Sequence, residues 1–558
     1  MREQHKSQQP NLLQALLSQL ALAARLERKV LTLMVSYALA IAFFSLIIPL
    51  TVQELVSTFS YAVQPVMVWT LTGIMMTVLL FVGIFKAFHF YAVEMLQRRL
   101  FARVAISMVQ RMPQFRFQGY KPQMANYFTE TIYMQRALSA VLLDMLNVLV
   151  GGTVGMALLV IYHPYFLVYD LMLMVGFVFT FFVMSRGAVR THLDMSHAKY
   201  NVLNWIQEVS QNLLHLKSTD SQPWLMQKTD DLVNAYTETR KARFAVLLRQ
   251  FLSAVGGMAI AQGGALATAG WLLSDGQLTL GQLVAVEVVV GALVLNFEAL
   301  IKSMAHVYYF FTGVTELNAF FSTAEDEATK GTAVPLPAPS VHGLMVTCKG
   351  VSLVHNGAQI FENFNLEVAP GEKVGIYART PAAKMALSRV LAGLEAPSSG
   401  VIQYNGVDIR YVDPSAINRC RSLVIDSQHT LLEGTIEDNI VLGRPYVSYD
   451  SLAWALRFTE LEEVIEALPR GIKSDVGALG DVLAPTHIVQ ILLARAILGR
   501  PQLLIFDGLI HSMDPALRET ILRRLCSKQE PWSAIFISTD PNLTEHTDRR
   551  VMLHHVHA

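Results

Sequence analysis

Charge is what this chain of 558 residues has least of: 16 % of it is Asp, Glu, Lys or Arg, against 53 % hydrophobic residues. Soluble chains carry about 25 % charged residues, so apolar surface must be hidden here in something besides the protein's own core. No sign of charge dominates, because 44 Lys and Arg balance 44 Asp and Glu. That balance removes any global electrostatic case for nucleic-acid binding. Cysteine is scarce: Cys348, Cys420 and Cys526 are odd in number and confined to the C-terminal half. This argues against a disulfide framework and for a reducing compartment around that half. What survives is a membrane protein with a cytosolic domain.

Long uncharged runs are present instead. No charge falls between Lys29 and Glu54, and Val30–Ile48 is long enough to cross ~30 Å of hydrocarbon at 1.5 Å per residue. A second run covers Leu55–Phe85, a third follows Asp144 to near His163, and a fourth, interrupted by Asp170, reaches from Tyr165 to Ser185. The fifth fills Gln250–Ser274, and the sixth runs from Gly276 to Ile301, interrupted by Glu287 and Glu298. Six spans are expected. The short connections at 57–66, His163-Pro164 and 274–276 hold no Lys or Arg. The 2–3 connection holds Arg98, Arg99, Arg103, Arg111, Arg116, Lys121 and Arg136, and the 4–5 connection is equally basic. Basic residues stay inside, so the N-terminus, both long connections and the C-terminal half are placed in the cytoplasm, on an inner or plasma membrane. Those connections hold almost no Gly or Pro and read as continuations of the helices, turning near 119–122 and 219–223.

Four segments follow from this pass. Residues 1–28 carry Leu12, Leu13, Leu16, Leu17 and Leu20 at helical spacing, which suits a helix lying on the lipid surface or a solvated helical tail. The run after it is too long and lacks the cleavage site of a signal peptide. Residues 29–321 are the six-helix domain, and 322–342, rich in Ala, Thr, Pro and acids, are a linker. From 343 to 558, strand-like runs alternate with helical ones, the pattern of an α/β domain.

In that domain a strand, Lys373–Tyr377, turns into a helix, Lys384–Ala392. A phosphate-binding P-loop, G-x-x-x-x-G-K-[S/T], belongs at such a place, where backbone N–H groups at a helix N-terminus cradle phosphate. The turn reads Ala378-Arg379-Thr380-Pro381-Ala382-Ala383-Lys384-Met385, in which only the Lys matches. Further on come Gln428, the run EGTIEDNI at 433–440, SDVGALG at 474–480, LLARAIL at 492–498 and LLIFDGLIHSMDP at 503–515. That succession resembles the nucleotide-binding domain of ABC transporters, and TLGQLVAVE after the fifth span resembles the six-helix domain of ABC exporters. The resemblance covers nearly the full chain. It implies a multi-domain membrane protein: a six-helix α-helical transmembrane domain plus an α/β P-loop-type nucleotide-binding domain.

The resemblance also implies ATP and Mg²⁺ as cofactors, with Arg379, Thr380, Lys384, Gln428, Asp507 and His355 at the nucleotide and Gln428 and Asp507 toward the metal. The departures bear on that binding. Ala378 and Ala383 put β-carbons where the family has glycine, Pro381 removes a donor, and Met385 stands in place of a Mg²⁺-binding hydroxyl. Gly508 occupies the position of the family's catalytic Glu, whose loss costs about 10²–10⁴-fold in rate, and Asp540 occupies that of its switch His. The signature loop, which grips the nucleotide of the opposite subunit, falls on Leu483-Ala484-Pro485-Thr486-His487. Hydrolytic parts are expected to be lost and mechanical parts, Asp514 and Val476-Gly477 among them, retained.

Within the membrane Glu287 needs a protein partner or a wet cavity. It suits a cargo path or a hydrogen bond between helices. His554, His555 and His557 have no carboxylate or Cys beside them to complete a metal site. The expectation is a half-transporter subunit in membrane lipid, with no nucleic-acid partner, moving an unnamed cargo outward and driven by a competent ABC half-transporter in a heterodimer. A non-transporting scaffold or regulator of another membrane complex is the alternative.

Overall fold

The computed structural model describes residues 27–59, 65–112, 123–327, 334–336, 343–355, 357–425, 431–477, 483–508, 513–540 and 545–553. The chain divides into two compact units, essentially one up to Glu325 and one from Asp326 onward.

The first unit is helical. Six helices are long and apolar enough to cross a membrane: α1 (Arg28–Phe59), α2 (Pro65–Arg111), α3 (Asn126–Tyr162), α4 (Phe166–Gln211), α5 (Gln222–Ser274) and α6 (Leu280–Glu327). The count of spans matches the uncharged runs, but one boundary does not. Ser57–Phe59, expected in the connection at 57–66, continue α1 instead, and Pro65, fixed in φ and lacking an N–H, begins α2. The 47 residues of α2 and the 53 of α5 extend far past the ~20 needed to cross, as the Gly- and Pro-poor connections predict. Extended His163 before Pro164 ends α3, and α4 breaks at 184–187, where Gly187 adopts φ +84°. The backbone of α6 stays helical to Glu327, past the position 322 at which the linker was expected to begin.

Apolar packing joins the ends of α3–α6 through Leu159, Phe166, Ala265, Leu272, Val286 and Val290. Below this, polar side chains clasp helix to helix. Gln97 of α2 donates to the Gln135 carbonyl at 3.0 Å, and Gln135 of α3 returns a bond to the Gln97 carbonyl at 2.8 Å. Fully buried Glu130 of α3 takes Lys199 at 2.9 Å, Ser196 at 3.1 Å and Tyr200 from α4. Glu316 of α6 meets His197 of α4 at 2.9 Å.

The second unit is α/β. An antiparallel sheet is ordered β2-β1-β4-β5, from β1 (Val346–His355), β2 (Ala358–Val368), β4 (Ser399–Tyr404) and β5 (Val407–Asp408). A parallel sheet is ordered β11-β3-β10-β9-β6, from β3 (Lys373–Ala378), β6 (Arg421–Ile425), β9 (Leu503–Asp507), β10 (Ser533–Ser538) and β11 (Arg549–Leu553). A short ribbon pairs β7 (Gly434–Thr435) with β8 (Asp475–Val476). The parallel strands are buried on both faces, so β9 and β10 read as unbroken apolar runs. Four helices bear on function: α7 (Pro381–Leu391), α8 (Ile436–Val441), α9 (Pro485–Leu498) and α10 (Pro515–Leu525).

Candidate nucleotide site

In a parallel sheet, ligands bind outside the carboxyl ends of the strands, and the register here gathers the expected residues at that edge. Asp507 ends β9 and pairs with Ile537 of β10 on one side and Ile425 of β6 on the other. Tyr377 of β3 pairs with Ser538 of β10. The P-loop position, the Mg²⁺-associated Asp and the switch position at Asp540 therefore converge. Gln428 lies outside the described residues, three positions beyond Ile425, as do the C-terminal histidines.

The turn after β3 is shorter than expected. Helix α7 begins at Pro381 rather than Lys384, because Thr380 is extended and acts as its N-cap. The Thr380 hydroxyl accepts from Ala383 N at 3.2 Å, and its carbonyl accepts from Lys384 N at 3.0 Å. Pro381 suits the first helical position, where a missing N–H costs nothing. Local sequence thus closes the turn into an ordinary capped helix start.

Lys384 leaves the helix and forms an ion pair with Asp507, Nζ to Oδ1 at 2.7 Å; the Lys side chain is 15 % exposed and the Asp 3 %. Ser388, one turn further along α7, donates to Asp507 Oδ2 at 3.0 Å. Ser388 was not singled out in the sequence; its position four after Lys384, on the same helix face, is the signal that finds it. Gly508 follows at φ +66°, and a β-carbon there would collide with Lys384 Nζ. The residue expected at the position of the family's catalytic Glu is thus the one whose missing side chain leaves space beside the Lys–Asp pair.

Against a triphosphate with Mg²⁺, this set falls short. Two first-turn N–H groups are spent on Thr380, Pro381 has none, Ala378 and Ala383 are buried, and Met385 offers a partly exposed thioether where a hydroxyl would hold the metal. Arg379 is exposed beside the turn. His355 ends β1 with its ring 64 % exposed and 4.0 Å from Glu395, open enough to stack on a base. Asp540 donates its N–H to the Ser538 hydroxyl at 2.8 Å.

The signature segment is a second helix start. Ala484 is the N-cap of α9 without a side-chain cap, Pro485 is its first residue, and His487 N bonds the Ala484 carbonyl at 2.9 Å. Leu483 packs on the core, and Thr486 follows Pro485 in the first turn. Asp514 caps α10, accepting from Ala516 N at 3.0 Å, and the run EGTIEDNI carries a complete capping box, Thr435 with Asp438, at the start of α8. In the membrane unit Glu287 accepts a hydrogen bond from Gln262 of α5, so the interhelical bond expected as one of its two roles is present.

Comparison with known proteins agrees with this arrangement. Residues 361–509 match the family described as ABC transporter. The alpha-hemolysin translocation ATP-binding protein HlyB of Escherichia coli is 25 % identical over 284 residues, 50 % of this chain and 39 % of that protein. The mycobactin import ATP-binding/permease protein IrtB of Mycolicibacterium thermoresistibile is 26 % identical over 190 residues, 34 % of this chain and 33 % of that protein. The chain thus spans well under two-thirds of the length of these relatives. A solved bacterial Atm1-family ABC exporter with ATP bound superposes with a TM-score of 0.81 at 19 % identity, covering 95 % of this chain and 94 % of that one. Six helices long and apolar enough to cross a membrane, an α/β unit whose residues 361–509 match the ABC transporter family, and the fold of a solved ABC exporter over 95 % of the chain therefore agree with one another.

Proposed function

We propose that this chain is a transport subunit that moves its cargo outward as one half of a heterodimer, with its own nucleotide site closed and the driving hydrolysis supplied by a competent ABC partner. Its segments are an N-terminal interfacial helix to residue 28, the membrane domain at 29–321, a linker at 322–342 and a degenerate nucleotide-binding domain at 343–558. The observation that carries the reading is the Lys384–Asp507 pair seated against Gly508. One side chain meant for phosphate neutralises the one meant for Mg²⁺, and no general base follows. The retained capping box at Thr435, the Asp514 N-cap, the sheet register and the six-helix half support a mechanical role. The translocation named for HlyB, rather than the import named for IrtB, is the direction adopted.

In such a dimer each nucleotide lies between one subunit's P-loop and the other's signature. Only the site with the partner's cradle facing Ala484-Pro485-Thr486 keeps a general base. Co-expression with an intact half-transporter tests this. Replacing the partner's P-loop Lys should abolish ATPase activity, and Lys384→Ala should leave most of it. Turnover by this chain alone near ~1 s⁻¹, the scale of slower ordinary enzymes, with loss on Lys384→Ala, would overturn the reading.

A further inference from the structure

At the opposite edge of the same parallel sheet lies a cavity of about 250 Å³ whose lining includes Arg419, Arg421, Arg444, Arg495, Ser422 and Tyr446, with no carboxylate among the described residues. Arg421 opens β6 and pairs with Leu503, whereas Ile425 at the other end pairs with Asp507. Four residues of strand, roughly 13 Å, therefore separate this cavity from the nucleotide edge.

Two of the arginines are locked in place. Arg495 donates to the Asn439 carbonyl at 2.6 Å and to Asn439 Oδ1 at 3.0 Å. Arg444 donates to the carbonyls of Val441 and Ile440, each at 3.1 Å, and of Arg495 at 2.8 Å. Carbonyl oxygens satisfy the Arg444 donors and fix its guanidinium plane, but they leave its positive charge standing. Gly499 makes the space, since a β-carbon there would lie 3.1 Å from Arg444 Nη1. Burial, and then the neighbouring charge of Arg444, push the Arg495 guanidinium down to about 10, which reflects the repulsion the fold tolerates. The other two are available. Arg421 bonds Asn418 at 2.9 Å through one terminal nitrogen, while its Nε is buried with no acceptor, and Arg419 stands exposed at the rim. A buried guanidinium N–H without an acceptor costs on the order of 1–3 kcal/mol, a cost that a bound anion removes.

We propose that this cavity is a binding site for a small, multiply charged phosphate anion, separate from the nucleotide edge of the sheet. Arg419 and Arg421 present planar forks suited to phosphoryl oxygens, Ser422 and Tyr446 add hydroxyl donors, and Arg444 and Arg495 supply fixed charge behind them. The volume falls below the ~300 Å³ at which pockets begin to take drug-sized ligands, which selects orthophosphate or pyrophosphate over a whole nucleotide.

Isothermal titration of the purified full chain in detergent, with pyrophosphate and with orthophosphate at ionic strength held constant by NaCl, tests the site. Saturable binding is expected, tighter for pyrophosphate. R419Q and R421Q should each raise the Kd about tenfold or more, the scale of one charge-assisted hydrogen bond. Arg379→Gln, an exposed change at the other edge of the sheet, should leave it unchanged. R419Q alters an exposed residue, so a preserved melting temperature separates lost binding from lost fold. Absence of saturable binding, affinity indifferent to both R419Q and R421Q, or affinity lost with Arg379→Gln would each overturn the proposal, the last by returning the anion to the P-loop position.

Discussion

If Lys384 serves architecture rather than phosphate, removing its charge should unfold the domain more easily. Asp507 is 2 % exposed and its carboxylate faces Lys384 Nζ on one oxygen and the Ser388 hydroxyl on the other. Breaking a buried pair from one side strands a charge and costs about 3–5 kcal/mol, whereas removing both charges is often near neutral. Lys384→Met keeps the stem and deletes the charge. For a domain of this size each kcal/mol shifts Tm by roughly 2–4 °C, so a fall of about 6–20 °C is expected. The three cysteines provide a local reporter, because Cys348, Cys420 and Cys526 all lie in this unit and none is exposed. A thiol-reactive fluorogenic maleimide added during a thermal ramp therefore reads this unit alone. The double variant Lys384→Met with Asp507→Leu should recover most of the loss. A shift below ~2 °C for Lys384→Met, or a double variant as unstable as the two single changes summed, would refute the architectural role.

The N-cap predicts a smaller effect: Thr380→Val should lower the same transition by about 1 kcal/mol, measured in the same ramp. The thiols themselves should be inert when folded, since burial pushes Cys348 and Cys526 up to about 12. At neutral pH their alkylation should be at least ~100-fold slower than after denaturation, and equal rates would show an open domain. In a background with those three cysteines replaced, Asp275→Cys should label from outside with an impermeant reagent while Lys217→Cys labels only after permeabilisation. Gly281→Ala should fail to pack, because its β-carbon would collide with the Gln53 carbonyl and the Ser57 hydroxyl of α1, and loss of full-length protein from the membrane fraction checks it.

Element positions were legible wherever a single physical signal acted alone. Uncharged runs marked the six crossings, and the apolar runs at 503–507 and 533–538 marked the buried parallel strands. Boundaries failed where two signals competed. Ser57–Phe59 read as part of a connection, yet nothing in them stops a helix, so α1 carries through. At the P-loop position, family spacing put the helix start at Lys384, while Thr380 followed by Pro381 is a strong local cap and prevails. Gly508 read only as a missing acid; that it accommodates Lys384 depends on the side chain of a residue on another element. The arginine cavity has no sequence signature, because Arg419, Arg421, Arg444 and Arg495 meet only after β6, α8 and α9 are packed.

The length of α5 has a mechanical consequence. Its 53 residues form one helix without a break. At 1.5 Å per residue that is a rod on the order of 80 Å, and tilting such a rod by ~5° about one end sweeps the other through about 7 Å. A rotation too slight to disturb side-chain packing near the pivot thus becomes, at the far tip, a stroke wider than a helical turn. The reciprocal amide clasp between Gln97 and Gln135 restrains α2 and α3 in the same way two planks are pinned, so that pair is expected to swing as a single beam. On the proposed function, a subunit driven by its partner would act as a lever arm, amplifying angular strain delivered at one end into linear displacement at the other.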